Sequence, residues 1–112
     1  MRELPHPSAD NITLAQLMHA LSDPARLEIV ERLAEGDETC TAIGTGIELH
    51  KSTLSHHYRV LREAGLTRTT VDGRTRLIRL RRHDLERLFP GLLDAVLRAV
   101  RSQSTGRPSA AR

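Results

Sequence analysis

Disulfide bonds, aromatic clusters and membrane spans are all excluded by what this sequence lacks. Cys40 is its one cysteine, which rules out a disulfide within the chain and is typical of a reducing compartment. Tyr58 and Phe89 are its only Phe, Tyr or Trp residues, so the core must be aliphatic and platforms for stacking unpaired bases are missing. Apolar runs are only a few residues long, and the opening MRELPHPSAD lacks the apolar centre of a signal peptide. We therefore expect a cytoplasmic protein without a membrane partner.

The composition is that of one globular domain. The chain has 112 residues, of which 38% are hydrophobic and 28% are charged. A chain of this size buries roughly 65% of its unfolded surface, which is enough for a core without metal or disulfide support. It also lacks a glycine-rich phosphate loop and any nucleophile paired with a base by its sequence context. We therefore expect neither an enzyme nor a bound cofactor.

Positive charge is concentrated in the middle of the chain. Residues 50–82 carry nine Lys or Arg against two acidic residues, a net charge of +7, and eight of the nine are arginine. Residues 1–49 carry a net charge of −6, with three basic residues against nine acidic ones. Arginine makes bidentate contacts to phosphate and guanine, and a basic region in a balanced chain is typical of a polyanion-binding surface. This pattern favours binding to nucleic acid.

Apolar periodicity predicts three helices in the first half of the chain. Residues 12–21 have a wide apolar face, and a second helix begins at the Asp23–Pro24 pair, an N-cap followed by proline. Gly36 ends this second helix. Residues 39–48 predict a short helix that is weakened by two glycines.

The second half predicts a helix, a hairpin and a broken terminal helix. Residues 52–64 carry one apolar stripe and end at Gly65. Two β-rich runs, 67–71 and 74–80, flank the pair Asp72–Gly73, which is a strong hairpin signal. The later helical pattern must break or kink at Pro90. The predicted order is therefore four helices, a hairpin and a final helix. This order predicts a mainly α fold with a small β-hairpin wing (α+β), the winged helix-turn-helix.

This fold is expected to occupy residues 11–101. Residues 1–10, which contain two prolines, are expected to form a flexible arm. Residues 102–112 are small and polar and are expected to be a disordered tail.

The helix over 52–64 is the candidate DNA-reading element. When its apolar stripe faces the core, its opposite face presents hydroxyls, an imidazole and a guanidinium near the helix N-terminus, the end that enters the major groove in such folds. The hairpin adds arginines that suit contact with the DNA backbone. An ordinary polar helix face and a blunted edge strand are the alternative interpretations. The predicted DNA-binding residues are Lys51, Ser52, Thr53, Ser55, His56, Arg59, Arg62, Arg68, Arg74 and Arg76. His57 lies on the other side, and we interpret it as a packed, hydrogen-bonded residue.

Two segments resemble the ArsR/SmtB family of bacterial repressors. LSDPARLEIVERL over residues 21–33 resembles the second helix of that family, and STLSHHYRVLREAGL over residues 52–66 resembles its recognition helix. The resemblance covers residues 11–100. It implies a homodimer held by the first and last helices, bound to a palindromic operator on double-stranded DNA and releasing it when a metal or other effector arrives.

The sensing sites of that family are not reproduced. Its Cys-x-Cys pair falls on Thr39 and Thr41 here, with Cys40 out of phase between them. One thiolate cannot build a soft site of three or four ligands. The terminal helix lacks the second histidine of the family's other site. We therefore expect no metal site, and we interpret Cys40 as a small buried apolar residue, because its neighbours Asp37 and Glu38 would oppose thiolate formation.

Apolar side chains on the first and last helices are more than one small domain can readily bury, which favours a two-fold interface. The predicted interface residues are Leu14, Leu17, Met18, Leu21, Leu88, Leu92, Val96 and Val100. The predicted function is a dimeric, sequence-specific transcriptional repressor, with an unidentified small-molecule effector left open. The alternatives are a metal or redox sensor with a non-standard site, and a dimeric protein-interaction module whose DNA face has decayed.

Overall fold

Helices build most of the molecule, and a small sheet crosses one end. The computed structural model describes residues 2–106. Its helices are α1 (Leu14–Ala20), α2 (Pro24–Glu35), α3 (Cys40–Gly46), α4 (Lys51–Ala64), α5 (Arg82–Leu88) and α6 (Leu92–Gly106), with one 3₁₀ turn at Ala9–Asn11. Its strands are β1 (Arg2–Glu3), β2 (Glu38–Thr39), β3 (Thr67–Asp72) and β4 (Thr75–Leu80). The antiparallel pair β3–β4 is the predicted wing, so the winged helix-turn-helix prediction is confirmed.

Local signals set the helix boundaries. A carboxylate oxygen of Asp23 accepts hydrogen bonds from the backbone N–H groups of Ala25 (2.9 Å) and Arg26 (3.1 Å), and Pro24 opens α2. This satisfies two donors that an α-helix leaves unpaired at its start. At the other end of the helical region, α5 stops at Leu88 and α6 starts at Leu92, on either side of Pro90. The predicted N-cap and the predicted break are both confirmed.

The core is aliphatic and draws on every helix. Leucine, isoleucine and valine fill it, and the two aromatic residues only pack against its edge, partly buried. The deepest side chains, all less than 2% exposed, include Leu17, Ile29, Ile43, Leu61, Leu66 and Ile78. Because these residues come from α1, α2, α3, α4 and the hairpin region, packing fixes the wing relative to the helices. In the described part of the chain, every helix is too short or too polar to span a bilayer.

The sheet has four strands where the sequence predicted two. Its order is β1-β3-β4-β2, all antiparallel, with Arg2 opposite Val71 and Glu38 opposite Ile78. The first residues therefore do not form the loose arm that we expected, because β1 completes hydrogen bonds along the free edge of β3. The wing turn also lies one residue later than predicted, at Gly73–Arg74, since Asp72 pairs with Thr75 and Gly73 takes the positive φ of 63°.

Two further predictions need correction. The α6 helix runs to Gly106, so residues 102–106 are helical rather than part of a disordered tail, while 107–112 lie outside the described residues. Leu17, predicted for the dimer interface, is fully buried in the chain's own core. On α1 it lies about 60° around the helix from Leu14, which is enough to turn it inward. Leu14 and Met18, four residues apart on the outer face, are 49% and 41% exposed.

Gly65 ends α4 in a position that no other residue can fill easily. Its φ is 95°, and a Cβ placed there would lie 2.5 Å from Cγ1 and 2.7 Å from Cδ1 of Ile12, which is buried. Glycine is therefore required here for two reasons, the left-handed backbone conformation and the close approach of the segment before α1.

We predict that Gly65→Ala lowers the free energy of unfolding by about 2–4 kcal/mol, from backbone strain together with the collision with Ile12. Gly91→Ala is the matched control, because Gly91 also has a positive φ, 82°, but has no atom within 4 Å of the added carbon. That variant should lose only the strain contribution of about 1–2 kcal/mol. Urea unfolding measures both, and equal losses in the two variants would contradict the packing argument.

Candidate nucleic-acid interface

Helix α4 is presented by a helix-turn-helix. Residues 47–50 connect α3 to α4, and Leu54 and Leu61 anchor α4 in the core. The opposite face is exposed along its first two turns. As predicted from the sequence, this exposed face carries Ser52, Ser55, His56 and Arg59. The arrangement places polar side chains, rather than apolar ones, at the N-terminal end of the helix, where a helix entering the major groove meets base edges.

A buried arginine holds α4 in place. Arg26, only 7% exposed, donates from Nε to the backbone oxygen of Ala20 (2.6 Å) and from Nη2 to that of His19 (3.4 Å). Its Nη1 donates to Nδ1 of His57 (3.1 Å), on α4. Arg26 therefore joins the end of α1 and the middle of α4 to α2. The sequence feature that indicates a buried role for Arg26 is its position on the face of α2 that carries Ile29 and Leu33.

These contacts fix the tautomer of His57. Because a guanidinium has only donors, Nδ1 of His57 must accept, and the proton lies on Nε2, 3.8 Å from a carboxylate oxygen of Asp23. Burial lowers the pKa of His57 below its usual 6.5, the charge of Asp23 opposes this shift, and Arg26 adds to it. His57 is thus a buried neutral residue, and the prediction that it packs and hydrogen-bonds is confirmed.

Tyr58 links α4 to α3. Its hydroxyl donates to the backbone oxygen of Cys40 (3.2 Å), and burial raises the pKa of Tyr58 to about 12. Burial likewise raises the pKa of the Cys40 thiol, while Arg76 and Arg62 oppose that shift. Cys40 is therefore a protonated, half-buried side chain, in agreement with the interpretation that it packs as a small apolar residue.

A groove runs between α4 and the wing. It has a volume of ≈ 780 Å³ and brings together residues from α3, the turn, α4 and both wing strands. Six of the ten predicted DNA-binding residues line it, namely Lys51, Ser55, Arg59, Arg62, Arg74 and Arg76. The residues lining it that the sequence analysis did not single out for DNA contact include Thr41, Leu49 and Thr69.

The groove is strongly cationic. Five of its lining residues are Lys or Arg, and none of the described residues that line it is acidic. Within residues 2–106, none of the five forms an ion pair, and Arg62 alone among them has a hydrogen-bond partner, a backbone oxygen; the other four are Lys51, Arg59, Arg74 and Arg76. By contrast, Arg32 and Arg81, which lie elsewhere, pair with Glu38 (2.6 Å) and Asp84 (3.0 Å). Unpaired cations in a concave surface concentrate positive potential there.

The two faces of the wing have different roles. Register places Arg76 opposite Val71 on the face that meets α4, whereas Arg68 and Arg79 face each other on the outer face. Arg68 pairs with Glu3 at 2.8 Å and Arg79 lies 4.0 Å from Asp37. The structure thus places Arg68 away from the groove that holds the other predicted wing residues. Strand alternation was the sequence signal for this division.

The first residues tie the wing to α4. The N–H of Leu4 donates to the backbone oxygen of Thr69 (2.9 Å), and Nε of Arg62 donates to that of Pro5 (3.2 Å). Arg81 donates to the backbone oxygen of Pro7 (2.7 Å). Burial lowers the pKa of Arg62, the one groove cation held in this way. No sequence pattern indicated these contacts, because a strand of two residues is too short to produce one.

The remaining predicted residues are exposed but lie outside the groove lining. They are Ser52, Thr53 and His56, all on the first turns of α4. Their exposure on the outer side of the helix leaves them accessible to a ligand that is wider than the groove.

Comparison with known proteins agrees with this geometry. The family model "Helix-turn-helix domain" matches residues 21–70. An uncharacterized HTH-type transcriptional regulator, YceK of Bacillus subtilis, is 39% identical over 90 residues, which cover 79% of this chain and 90% of that protein. A homodimeric winged helix-turn-helix DNA-binding domain from Mycobacterium bovis, described as a possible ArsR-family transcriptional regulator, has a TM-score of 0.63 and 27% identity over 81% of this chain and 80% of that one. The chain belongs to the ArsR family of transcriptional regulators.

A further relative is the biofilm growth-associated repressor of Agrobacterium fabrum, 30% identical over 92 residues, or 80% of this chain and 79% of that protein. The ArsR-family chain is therefore a transcriptional regulator with a helix-turn-helix DNA-binding domain. Its relatives are transcriptional regulators and not enzymes.

The residues of this ArsR-family chain do not fit the soft-metal site that the family resemblance implies. Thr39 and Thr41 occupy the positions of the two cysteines, and the Thr39 hydroxyl is used to cap α3 by accepting from the N–H of Ala42 (3.1 Å). Among the described residues, no three His, Cys, Asp or Glu side chains are grouped so that they could hold a metal ion. Cys40 alone supplies one sulfur, and soft metals need more thiolates.

Acid should weaken the fold through His57. Because the pKa of His57 is lower in the folded chain than its usual 6.5, the stability it contributes is complete above that value and is lost as the pH falls through the folded-state pKa. We predict that His57→Gln, whose amide can still accept from Arg26, shows a smaller loss of unfolding free energy between about pH 7.5 and 5. Urea unfolding at several pH values measures this, and parallel losses in both proteins would refute it.

Proposed function

We propose that this ArsR-family regulator is a homodimeric repressor that binds a palindromic operator with the cationic groove and the N-terminal half of α4. The observation that carries the proposal is the groove itself. Lys51, Arg59, Arg74 and Arg76 converge there without acidic partners in residues 2–106. Holding like charges together is unfavourable in the free protein, and a polyanion such as DNA relieves that repulsion.

The proposed contacts divide into two kinds. The exposed face of α4, with Ser52, Ser55, His56 and Arg59, would read base edges in the major groove. Lys51 and the wing residues Arg74 and Arg76 would bind phosphates and set the orientation of the protein on the duplex. Arg62 would contribute less, because its guanidinium already donates to the chain's own backbone.

Exposed apolar side chains support the homodimer. Leu14 and Met18 are exposed on α1, and Leu92, Val96 and Val100 form a half-buried row at four-residue spacing on α6. The companion residues Leu93 and Leu97 are buried in the chain's own core. This leaves the outer rows for a second copy, whose two-fold symmetry would place two α4 helices in major grooves about one helical turn, or ~34 Å, apart. Leu21 and Leu88 are half-buried beside these rows.

The direct test is fluorescence anisotropy of the purified chain with the DNA upstream of its own gene and with a scrambled duplex. We expect tighter binding to the upstream duplex, with an affinity that falls steeply between about 50 and 200 mM salt. Equal, weak binding to both duplexes would contradict a sequence-specific regulator.

Two arginines of the same strand provide a matched pair of variants. We predict that Arg76→Ala weakens binding to all duplexes alike and reduces the slope of log affinity against log salt by about 0.9, the value for one phosphate contact. Arg79→Ala, on the outer face of β4, removes the same charge and should leave the slope unchanged. Anisotropy across a salt series measures both, and an equal effect of the two substitutions would show that net charge alone, not the groove, binds DNA.

The dimer has its own test. We predict that Met18→Asp converts the protein to a monomer, because a carboxylate in an apolar interface would be desolvated without a partner. Gln16→Asp places the same charge on an exposed position of the same helix and should leave the dimer intact. Sedimentation velocity distinguishes the species, and a dimer that survives Met18→Asp would place the interface elsewhere.

A further inference from the structure

Leu49 is an apolar side chain in a place where polar ones are expected. It is 41% exposed, and within residues 2–106 only Leu14 and Met18 are comparably exposed large hydrophobic residues. Those two lie on the proposed dimer face of α1. Leu49 instead lies in the turn before α4 and lines the cationic groove. Its exposure is therefore not explained by the core or by α1.

The backbone around Leu49 is fixed. Its N–H donates to the backbone oxygen of Ile47 (2.9 Å), and Ile47 is buried. One residue later, His50 caps α4, its backbone oxygen accepting from the N–H of Leu54 (2.9 Å). Leu49 is thus displayed by an anchored turn, two residues before the first residue of α4. This is the end of the helix that reaches base edges when a recognition helix enters the major groove.

A second protein surface is a poor partner for Leu49. The residues that share its groove include the unpaired cations Lys51, Arg59 and Arg74, so a second copy of this chain would bring like charges together. DNA satisfies both features at once, since phosphates match the cations and the major groove offers one apolar group, the C5-methyl of thymine. Against any other base edge, Leu49 would remove water from polar groups without replacing their hydrogen bonds.

We propose that Leu49 is a specificity-determining residue that packs against the C5-methyl group of a thymine in each half-site. The proposal rests on the proposed function, because it requires α4 to lie in the major groove. It assigns to Leu49 a preference for thymine at a position beside the base pairs read by Ser55 and Arg59, whose side chains line the same groove.

The experiment removes the methyl group from the DNA rather than only the side chain from the protein. A preferred duplex is first selected from a random pool with the wild-type protein. Each thymine of one half-site is then replaced singly by deoxyuridine, which keeps the base pair and deletes the methyl. For the wild type, one position should bind about fourfold more weakly, the effect of losing one buried carbon, while the other positions change little.

Protein variants complete the cycle. Leu49→Ala should bind the thymine and deoxyuridine duplexes equally, whereas Leu49→Met, which keeps an apolar side chain, should retain part of the discrimination. Neither variant changes a charge, so the salt slope should stay that of the wild type. Because Leu49 is exposed, its truncation should also leave the thermal unfolding midpoint close to the wild-type value, which confirms that the variant is folded.

The outcomes separate this proposal from the one on which it rests. If no preferred duplex emerges from the pool, the proposed function fails and the role of Leu49 fails with it. If a preferred duplex emerges with a steep salt slope but every deoxyuridine substitution is tolerated, the function stands and the role of Leu49 is overturned. Discrimination that persists unchanged in Leu49→Ala would likewise assign the methyl contact to another residue.

Discussion

The hydrogen bonds of one buried guanidinium hold helix α4 to the rest of the chain. Arg26 extends from α2 to the last carbonyls of α1 and to His57 in the middle of α4. A buried charge is costly unless its donors are satisfied, so the three helices must keep the spacing that these acceptors require. Packing of Leu17, Ile29 and Leu61 supplies the stability, and the hydrogen bonds of Arg26 set where α4 lies relative to α1 and α2.

The arginines of this chain fall into two groups, those that pair with a carboxylate of the chain and those that do not. Arg32, Arg68 and Arg81 find carboxylates within the fold and serve to join elements. Arg59 and Arg76 extend into the groove and have no such partner among the described residues. Composition counts all of them as one positive charge each. It is the pairing that distinguishes the arginines that join elements from those that stay unpaired in the groove.

Much of the fold was predictable because its signals are local. The Asp23 cap, the break at Pro90 and the apolar stripe of α4 depend on residues a few positions apart, and each predicted element is present. The two edge strands of the sheet, β1 and β2, were not predictable. Each has two residues and forms only by pairing with a strand far away in sequence. The ion pair of Arg68 was not predictable for the same reason, since its partner Glu3 belongs to β1.

The sequence by itself determined the order of helices and wing, the concentration of positive charge in residues 50–82 and the family resemblance. These follow from periodicity, capping and composition, all of which are visible in the sequence without a structure. Only the tertiary structure decided which cations share a groove, that Leu17 faces inward and that Leu49 faces outward beside those cations. The physical reason is that burial and ion pairing depend on neighbours brought together by packing, and half a turn of helix or one residue along a strand reverses which side a residue faces.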